Sequence, residues 1–310
     1  MKDKIIKLAK ENGADLVGFA SAERFEKDDV IFKIFPKTKT VIGLAFRVLR
    51  GAFRGVEEGS TFYQYSTMGV ENMEETVMPL AQMRVANLIE EQGFTAVPQR
   101  RHQLMMTEPD STNPEMCFDK IYRGSKEMQM DFLSAAIACG LGEKGLHNVL
   151  VTDEFGPFVR YCFILTDAVF ESDRIISPHL CDNCAECVRA CPGNAISKDG
   201  KVDPWKCAVY YKGANGKRNP FMPHDAFSDE PERLKIIAGE ADVDIEDAKR
   251  ILEKSSFYPH ISHSYEGCVC GRACDVACYV HLEEKGSLKK SFCSPFRKRK
   301  PWELDLSFYK

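Results

Sequence analysis

Apolar and polar positions follow a helical rhythm and a strand rhythm in turn along the first half of the chain. Residues 3–12 place Ile5, Ile6, Leu8 and Ala9 on one side, and Gly13 is a natural stop. Leu16 to Ala20 then predicts a strand. Thr40 to Val48 (TVIGLAFRV) is a nearly unbroken apolar run, as in a strand that is mostly buried. Residues 49–73 show no period and contain Gly51, Gly55, Gly59 and Gly69, which predicts a long loop. Loops of that length often carry function, and Tyr63 and Tyr65 lie in this one.

Residues 74–92 give the clearest helical pattern, with Met78, Ala81, Val85, Leu88 and Ile89 on one face and Gly93 at the end. Phe94 to Val97 predicts a short strand and 98–125 an irregular stretch. Residues 127–139 predict a helix of small residues, followed by the Gly140-Leu141-Gly142 turn. His147–Thr152 and Phe158–Thr166 flank Asp153-Glu154-Phe155-Gly156, which predicts a hairpin with glycine at the positive-φ position. From Cys181 to Cys278 the pattern is loop-rich, with one helix at about 244–256.

Composition narrows the class. The chain has 310 residues, 44% hydrophobic and 28% charged, enough to bury a core. The net charge of −4 excludes a globally basic nucleic-acid binder. No apolar run approaches the ~18 residues of a membrane span. The N-terminus lacks an uninterrupted apolar segment, a small-residue cleavage site and a twin-arginine pair, so a cytoplasmic protein is expected. Ten of the thirteen cysteines fall between Cys181 and Cys293, and clustered cysteines in a reducing compartment point to metal or redox chemistry.

Residues 181–192 read CDNCAECVRACP, with Cys181, Cys184, Cys187, Cys191 and Pro192 in the C-x2-C-x2-C-x3-C-P spacing of bacterial [4Fe–4S] proteins. Three thiolates two residues apart on a tight loop can cover three corners of one cube. The fourth, starting a helical turn, points toward a second cube. A zinc site is the alternative, but zinc needs only four thiolates and gives no reason for this spacing. A second cube would draw on Cys207 and on GCVCGRACDVACY at 267–279. By the crossed logic of two-cluster ferredoxins, Cys181, Cys184, Cys187 and Cys278 hold one cube, and Cys191, Cys207, Cys270 and Cys274 the other. The second motif is irregular. Its spacing is C-x-C-x3-C-x3-C, Tyr279 stands where proline is usual, and Cys268 is an alternative to Cys270. Cys117, Cys139, Cys162 and Cys293 are scattered and expected to be small buried hydrophobes.

Paired cubes only move single electrons. About 180 residues precede the first cluster cysteine, so the N-terminal region is expected to bind a second cofactor, a substrate or a partner. The stretch AIACGLGEKGLHNVLVTDEFGPFVRYCFILTDAVFESD at 136–173, followed by the cysteine run, together with DLVGFA and KTVIGLAF at 39–46, resembles the cobalamin-dependent iron–sulfur reductases. These are the epoxyqueuosine reductases and, more distantly, the reductive dehalogenases.

The resemblance implies an α+β protein: a nitroreductase-like α/β domain at 1–175, then a bacterial-ferredoxin-like two-[4Fe–4S] module at 176–285. A helical insertion at about 220–262 and a basic tail at 286–310 complete the plan. It also implies base-off cobalamin reduced to cob(I)alamin, with the corrin held at Gly140, Leu141, Gly142 and Gly145, where backbone can approach closely. A flavin in the N-terminal domain is the alternative cofactor, and no G-x-G-x-x-G dinucleotide fingerprint is present.

The chain also departs from the epoxyqueuosine reductases. Their acidic proton donor before the glycine turn would fall on Ser125-Lys126, with Glu127 adjacent and Asp131 too close to the turn. Glu143 replaces their tryptophan and Leu146 their lysine, and only about 30 residues follow Cys278. These departures weigh against tRNA as substrate and favour a small molecule. Tyr63, Tyr65 and Arg123 are the candidate catalytic residues. The tyrosines could donate a proton, against the alternative of ordinary packing, and Arg123 could bind an anion, against a solvated surface arginine.

Glu143-Lys144 could be a simple exposed ion pair. His102 and His147 are weighed as cofactor contacts, with ordinary satisfied histidines favoured. Arg297 to Lys300 could dock an acidic electron donor or RNA, with a solvated tail favoured. The expected function is a cytoplasmic oxidoreductase fed by a ferredoxin or flavodoxin. The alternative is an electron-transfer or activating protein with no chemistry of its own.

Overall fold

A computed structural model describes residues 1–100, 129–255, 268–300 and 303–310 of the chain. Candidates Arg123, His102 and Cys117 lie outside the described residues. The chain divides into two compact units, each assembled from separated segments: 1–47, 74–143 and 160–178 form the first, and 48–73, 144–159 and 179–310 the second.

The first unit is built on a four-stranded sheet. Its strands are β1 (Leu16–Ser21), β2 (Thr40–Arg47), β3 (Ala96–Gln99) and, after the two-residue β4 (Glu143–Lys144) and β5 (Leu150–Val151), β6 (Val159–Thr166). The spatial order is β1-β2-β6-β3. β1 runs antiparallel to β2, from Leu16 opposite Ala45 to Ser21 opposite Thr40, and β3 antiparallel to β6, from Ala96 opposite Thr166 to Gln99 opposite Phe163. Every β2 position except Arg47 is buried, as its apolar run predicts.

Helix α1 (Lys2–Glu11) buries Ile5 and Ala9, and Gly13 leaves it with φ of 97°. A short α2 (Val30–Ile34) is capped by Asp29, whose carboxylate accepts from the Ile31 N–H. Later in the same unit, α4 (Met78–Glu90) is tied to the sheet by Gln82, whose Nε2 donates to the carbonyls of Gln99 and Phe163 at 2.9 and 2.8 Å. That buried amide is satisfied twice, which fixes the helix over the strands. Helix α5 (Phe132–Ala138) is capped by Asp131, which accepts from the Leu133 and Ser134 N–H groups. Gly18 and Gly43 let the end of α5 sit directly on β1 and β2. A Cβ on Gly18 would fall on the Cys139 carbonyl oxygen, and one on Gly43 would come within 2.8 Å of Leu141.

The second unit is mostly helical. Residues 49–73, expected as a loop, hold α3 (Arg50–Glu58) and a π-helical stretch, Tyr65–Glu71. The glycines that suggested a loop have other work. Gly55 leaves room for Thr61 against the helix, and Gly59 is its left-handed C-cap at φ of 69°. Ala52, Phe53 and Val56 form the buried face. The later loop-rich region, expected to hold one helix, contains five among the described residues: α6 (Glu186–Ala190), α7 (Pro204–Lys212), α8 (Arg233–Ala238), α9 (Ile245–Lys254) and α10 (Ala273–Glu284). The first three are 5, 9 and 6 residues long, too short for their periodicity to stand out.

The expected hairpin shrinks to a single Thr152–Gly156 bridge, with Gly156 at φ of 56°. Beyond it β6 joins the four-stranded sheet, while β5 pairs with β4.

Among the described residues, two large apolar clusters stabilise this unit, beside two smaller ones. One is an aromatic stack in which Phe158 lies 3.9 Å from Phe53 and 4.3 Å from Tyr279, centroid to centroid, with Phe296 edge-on to both Phe158 and Tyr279. The other gathers Val209, Tyr210, Met222, Ile237 and Ile251, with the Tyr210 hydroxyl donating to the Ile236 carbonyl at 2.8 Å.

Gly18→Ala should destabilise the protein by about 1–3 kcal/mol, because backbone rather than a movable side chain meets the new methyl. Gly51→Ala, with nothing within 4 Å and a helical position, should raise stability by about 0.5–1 kcal/mol. Paired thermal melts of the two variants against the parent check both signs.

Candidate iron–sulfur centre

The CDNCAEC loop is wound tightly by residues in the left-handed region, Asn183 at φ of 58° and Ala185 at φ of 60°. These bends turn Cys181, Cys184 and Cys187 back on one another before α6 begins at Glu186. Cys191 caps the C-terminus of α6. Pro192 and Gly193 follow, and Gly193 admits the Tyr210 ring where a side chain could not fit. Cys207 lies on α7, whose N-terminus is capped by Asp203. Gly271 (φ 62°) and Arg272 (φ 50°) start α10, which carries Cys274 and Cys278.

Two sets of cysteines stand out by the charges each sulfur feels. Cys278 is in the electrostatic field of Cys187, Cys181 and Cys184. Cys207 and Cys274 each feel Cys270 and Cys191, and Cys191 feels Cys270. The crossing follows from helix geometry. α6 and α10 pack against one another. Cys187 and Cys191 are four residues apart, as are Cys274 and Cys278, a rise of about 6 Å along a helix. Each pair thus spans both sets. Tyr279, in the place of the usual proline, belongs to the aromatic stack at 2% exposure, which accounts for that departure.

Cys268 and Cys270 separate in role. Their sulfurs are 3.8 Å apart, but Cys268 is fully buried in the aromatic core and its N–H donates to Ser66 Oγ at 3.1 Å. Burial works to raise the Cys268 thiol, yet hydrogen bonds with Cys270 and Tyr211 bring it below its ordinary value. Cys270 is the sulfur that the other three feel.

Burial pushes the Cys187 thiol up to about 11 and the Cys207 thiol up to about 12. Neutral thiols with soft sulfur donors, gathered in fours, fit a cationic iron–sulfur or zinc group that would draw off their protons. Backbone N–H groups already point at two of them: Leu146 donates to Cys181 Sγ and Ala195 to Cys191 Sγ, both at 3.3 Å. Asp182, Cys184 and His281 also bring donor atoms within 4.8 Å of one another at the rim of the first set. There Asp182 is held well below the carboxylate range by hydrogen bonds from Lys285 at 2.7 Å and His281 at 3.0 Å.

Charged residues that no sequence pattern marked surround the second set. Arg272 forms a two-pronged pair with Asp275, at 2.7 and 3.0 Å. Burial would raise Asp275, but Arg272 and His147 hold it well below the usual range, with His147 Nε2 3.4 Å from its carboxylate. His147 is thus a buried partner of Asp275, 1% exposed at its side chain.

The other sequence candidates scatter. Tyr65 is 2% exposed and packs 4.6 Å from Phe53, whereas Tyr63 is exposed. A Cβ on Gly140 would fall on the Arg174 carbonyl oxygen, and one on Gly145 would come 2.9 Å from the His147 ring, so these glycines serve the chain's own packing. Leu141 is buried against Gly18 and Gly43, and Gly142 is buried as well. Cys139 and Cys162 are buried as expected, but Cys293 is exposed. Arg297 and Arg299, expected in a solvated tail, bind the buried Glu57. Among the described residues no helix is long and apolar enough to cross a membrane.

Residues 174–197 match the 4Fe-4S binding domain family. An epoxyqueuosine reductase of Listeria monocytogenes is 33% identical over 82 residues, which is 26% of this chain and 21% of that enzyme. A tetrachloroethene reductive dehalogenase of Dehalobacter restrictus is 39% identical over 80 residues, 24% of this chain and 14% of that one. A crystal structure of selenomethionine-labelled epoxyqueuosine reductase superposes with a TM-score of 0.46 at 15% identity, over 88% of this chain and 70% of that one.

Asp275→Asn should cost about 3–5 kcal/mol, because it leaves the buried Arg272 cation without its carboxylate. Urea unfolding of the anaerobic protein checks this, with Asp199→Asn, an exposed site, as the neutral control. The chain thus carries a 4Fe-4S binding segment at 174–197 and is similar over about a quarter of its length to reductases of both groups, while spanning well under a third of those relatives' own length.

Proposed function

We propose that this chain is an oxidoreductase that carries two [4Fe–4S] clusters and passes single electrons through them to a reduction. Cys181, Cys184, Cys187 and Cys278 would hold the first cluster, and Cys191, Cys207, Cys270 and Cys274 the second, with Cys268 left as a buried core thiol. The observation that carries this reading is the packing of α6 against α10, which brings the pair Cys187 and Cys191 beside the pair Cys274 and Cys278.

When bound, each cluster supplies one-electron transfer at low potential. The chain's own groups do the rest. The thiols hold the metal, the Leu146 and Ala195 N–H groups stabilise negative sulfur, and the hydrophobic residues around Cys191 limit water. The electron source would be a ferredoxin or flavodoxin.

Cobalamin as the acceptor, in a nitroreductase-like first unit acting on a small molecule, is supported by the resemblance of residues 136–173. The glycine turn adds nothing to that support, because its close approaches are to Arg174 and His147. An electron carrier without chemistry of its own is the second reading, and action on tRNA a third.

The test is iron and cobalt per chain after anaerobic purification from a cobalamin-supplied host. About eight irons is the expected value for two cubes. Cys270→Ser should lose about half of the iron, and Cys268→Ser should keep it. About four irons in the parent would overturn the two-cluster assignment. Eight irons without cobalt, even after reconstitution, would favour the carrier, and turnover of epoxyqueuosine-containing tRNA would favour the third reading.

A further inference from the structure

Glu57, at the end of α3, has a side chain with 0% exposure, and three arginines converge on it. Arg297 Nε donates to Glu57 Oε1 at 2.7 Å, Arg299 Nη2 lies 3.3 Å from the same oxygen, and Arg218 Nη2 lies 3.6 Å from Oε2. Arg299 Nε also donates to the Glu57 carbonyl at 2.6 Å. The neighbouring Arg54–Glu58 pair is closed at 2.6 Å and contributes no net charge. Three guanidiniums sharing one carboxylate leave two positive charges in excess.

Arg218 is the deepest of the three, 7% exposed at its side chain, and its Nε has no hydrogen-bond partner. It lies beside Gly271, the residue after Cys270. A methyl built on Gly271 would lie 3.4 Å from Arg218 Nη2, and Arg218 and Cys270 feel each other's charge. A surplus of buried positive charge is costly unless something negative faces it. A cube bound by four thiolates is that negative partner, with a net charge of about −2 when oxidised and one more when reduced. Among the described residues the first set has no matching surplus, because Lys285 and His281 at its rim share Asp182 near the surface.

We propose that Arg218 sets the reduction potential of the second cluster: its buried guanidinium stabilises the extra electron there, and Glu57 moderates that effect. The inference rests on the two-cluster reading. It makes the second cluster the higher-potential member, the place where an electron entering through the first would come to rest.

The experiment is a redox titration of the anaerobic protein followed by electron paramagnetic resonance, with iron counted on every sample. Arg218→Gln should lower one midpoint by roughly a tenfold change in the reduction equilibrium, about 59 mV for one electron, and leave the other in place. Arg218→Lys should restore most of it, and Glu57→Gln should move the same midpoint upward. Arg297→Gln, at the more exposed edge, should give a smaller downward shift and decides the sign if Arg218→Gln does not keep its iron. About eight irons with unmoved midpoints would overturn this inference alone. About four irons in the parent would overturn the two-cluster reading and this inference with it.

Discussion

Burial favours the neutral thiol at the clustered cysteines. Desolvation lifts the Cys187 and Cys207 thiols to about 11 and about 12, yet iron and zinc bind thiolate. An iron–sulfur group would have to draw off those protons, and it would need sulfurs spaced so that one group can reach four of them. The tight 181–187 loop, α6, α7 and α10 all serve that requirement. The left-handed turns at Asn183, Ala185 and Arg272 are the conformational cost of bringing the sulfurs into reach.

The same electrostatics explains the buried ion pairs nearby. Arg272 and His147 both face the buried Asp275 carboxylate. Such groups add little stability of their own, but they make the site intolerant of losing one member. Glu57 gathers arginines from residue 218 and from the C-terminal segment, so the last part of the chain is bound to α3 rather than left in solvent.

Much of this was legible in the sequence, and the misses have physical reasons. The apolar run of β2 and the periodic face of α4 were plain, because long buried elements leave long patterns. The C-x2-C-x2-C-x3-C-P run marked the first loop, and counting sulfurs led to Cys207, Cys274 and Cys278. α3 stayed hidden because Gly51, Gly55 and Gly59 look like a loop until Thr61 is seen packed on Gly55. The burial of Cys268 in the aromatic core, with its N–H on Ser66 two hundred residues away, is something no spacing rule could include. Glu57 and Arg218 carried no signal at all, since a buried charge and a surface charge are the same letter.

The order of segments in the chain has a consequence for how the protein is made. Cys187 leaves the ribosome well before Cys278, and Cys191 and Cys207 well before Cys270 and Cys274. At roughly 5–20 residues per second the early sulfurs wait several seconds for their partners at 270–278. In the two-cluster reading, each set is three-quarters or half complete during that interval, open to oxygen and to competing metals. Cluster insertion in that reading must wait until the segment 270–278 has been made.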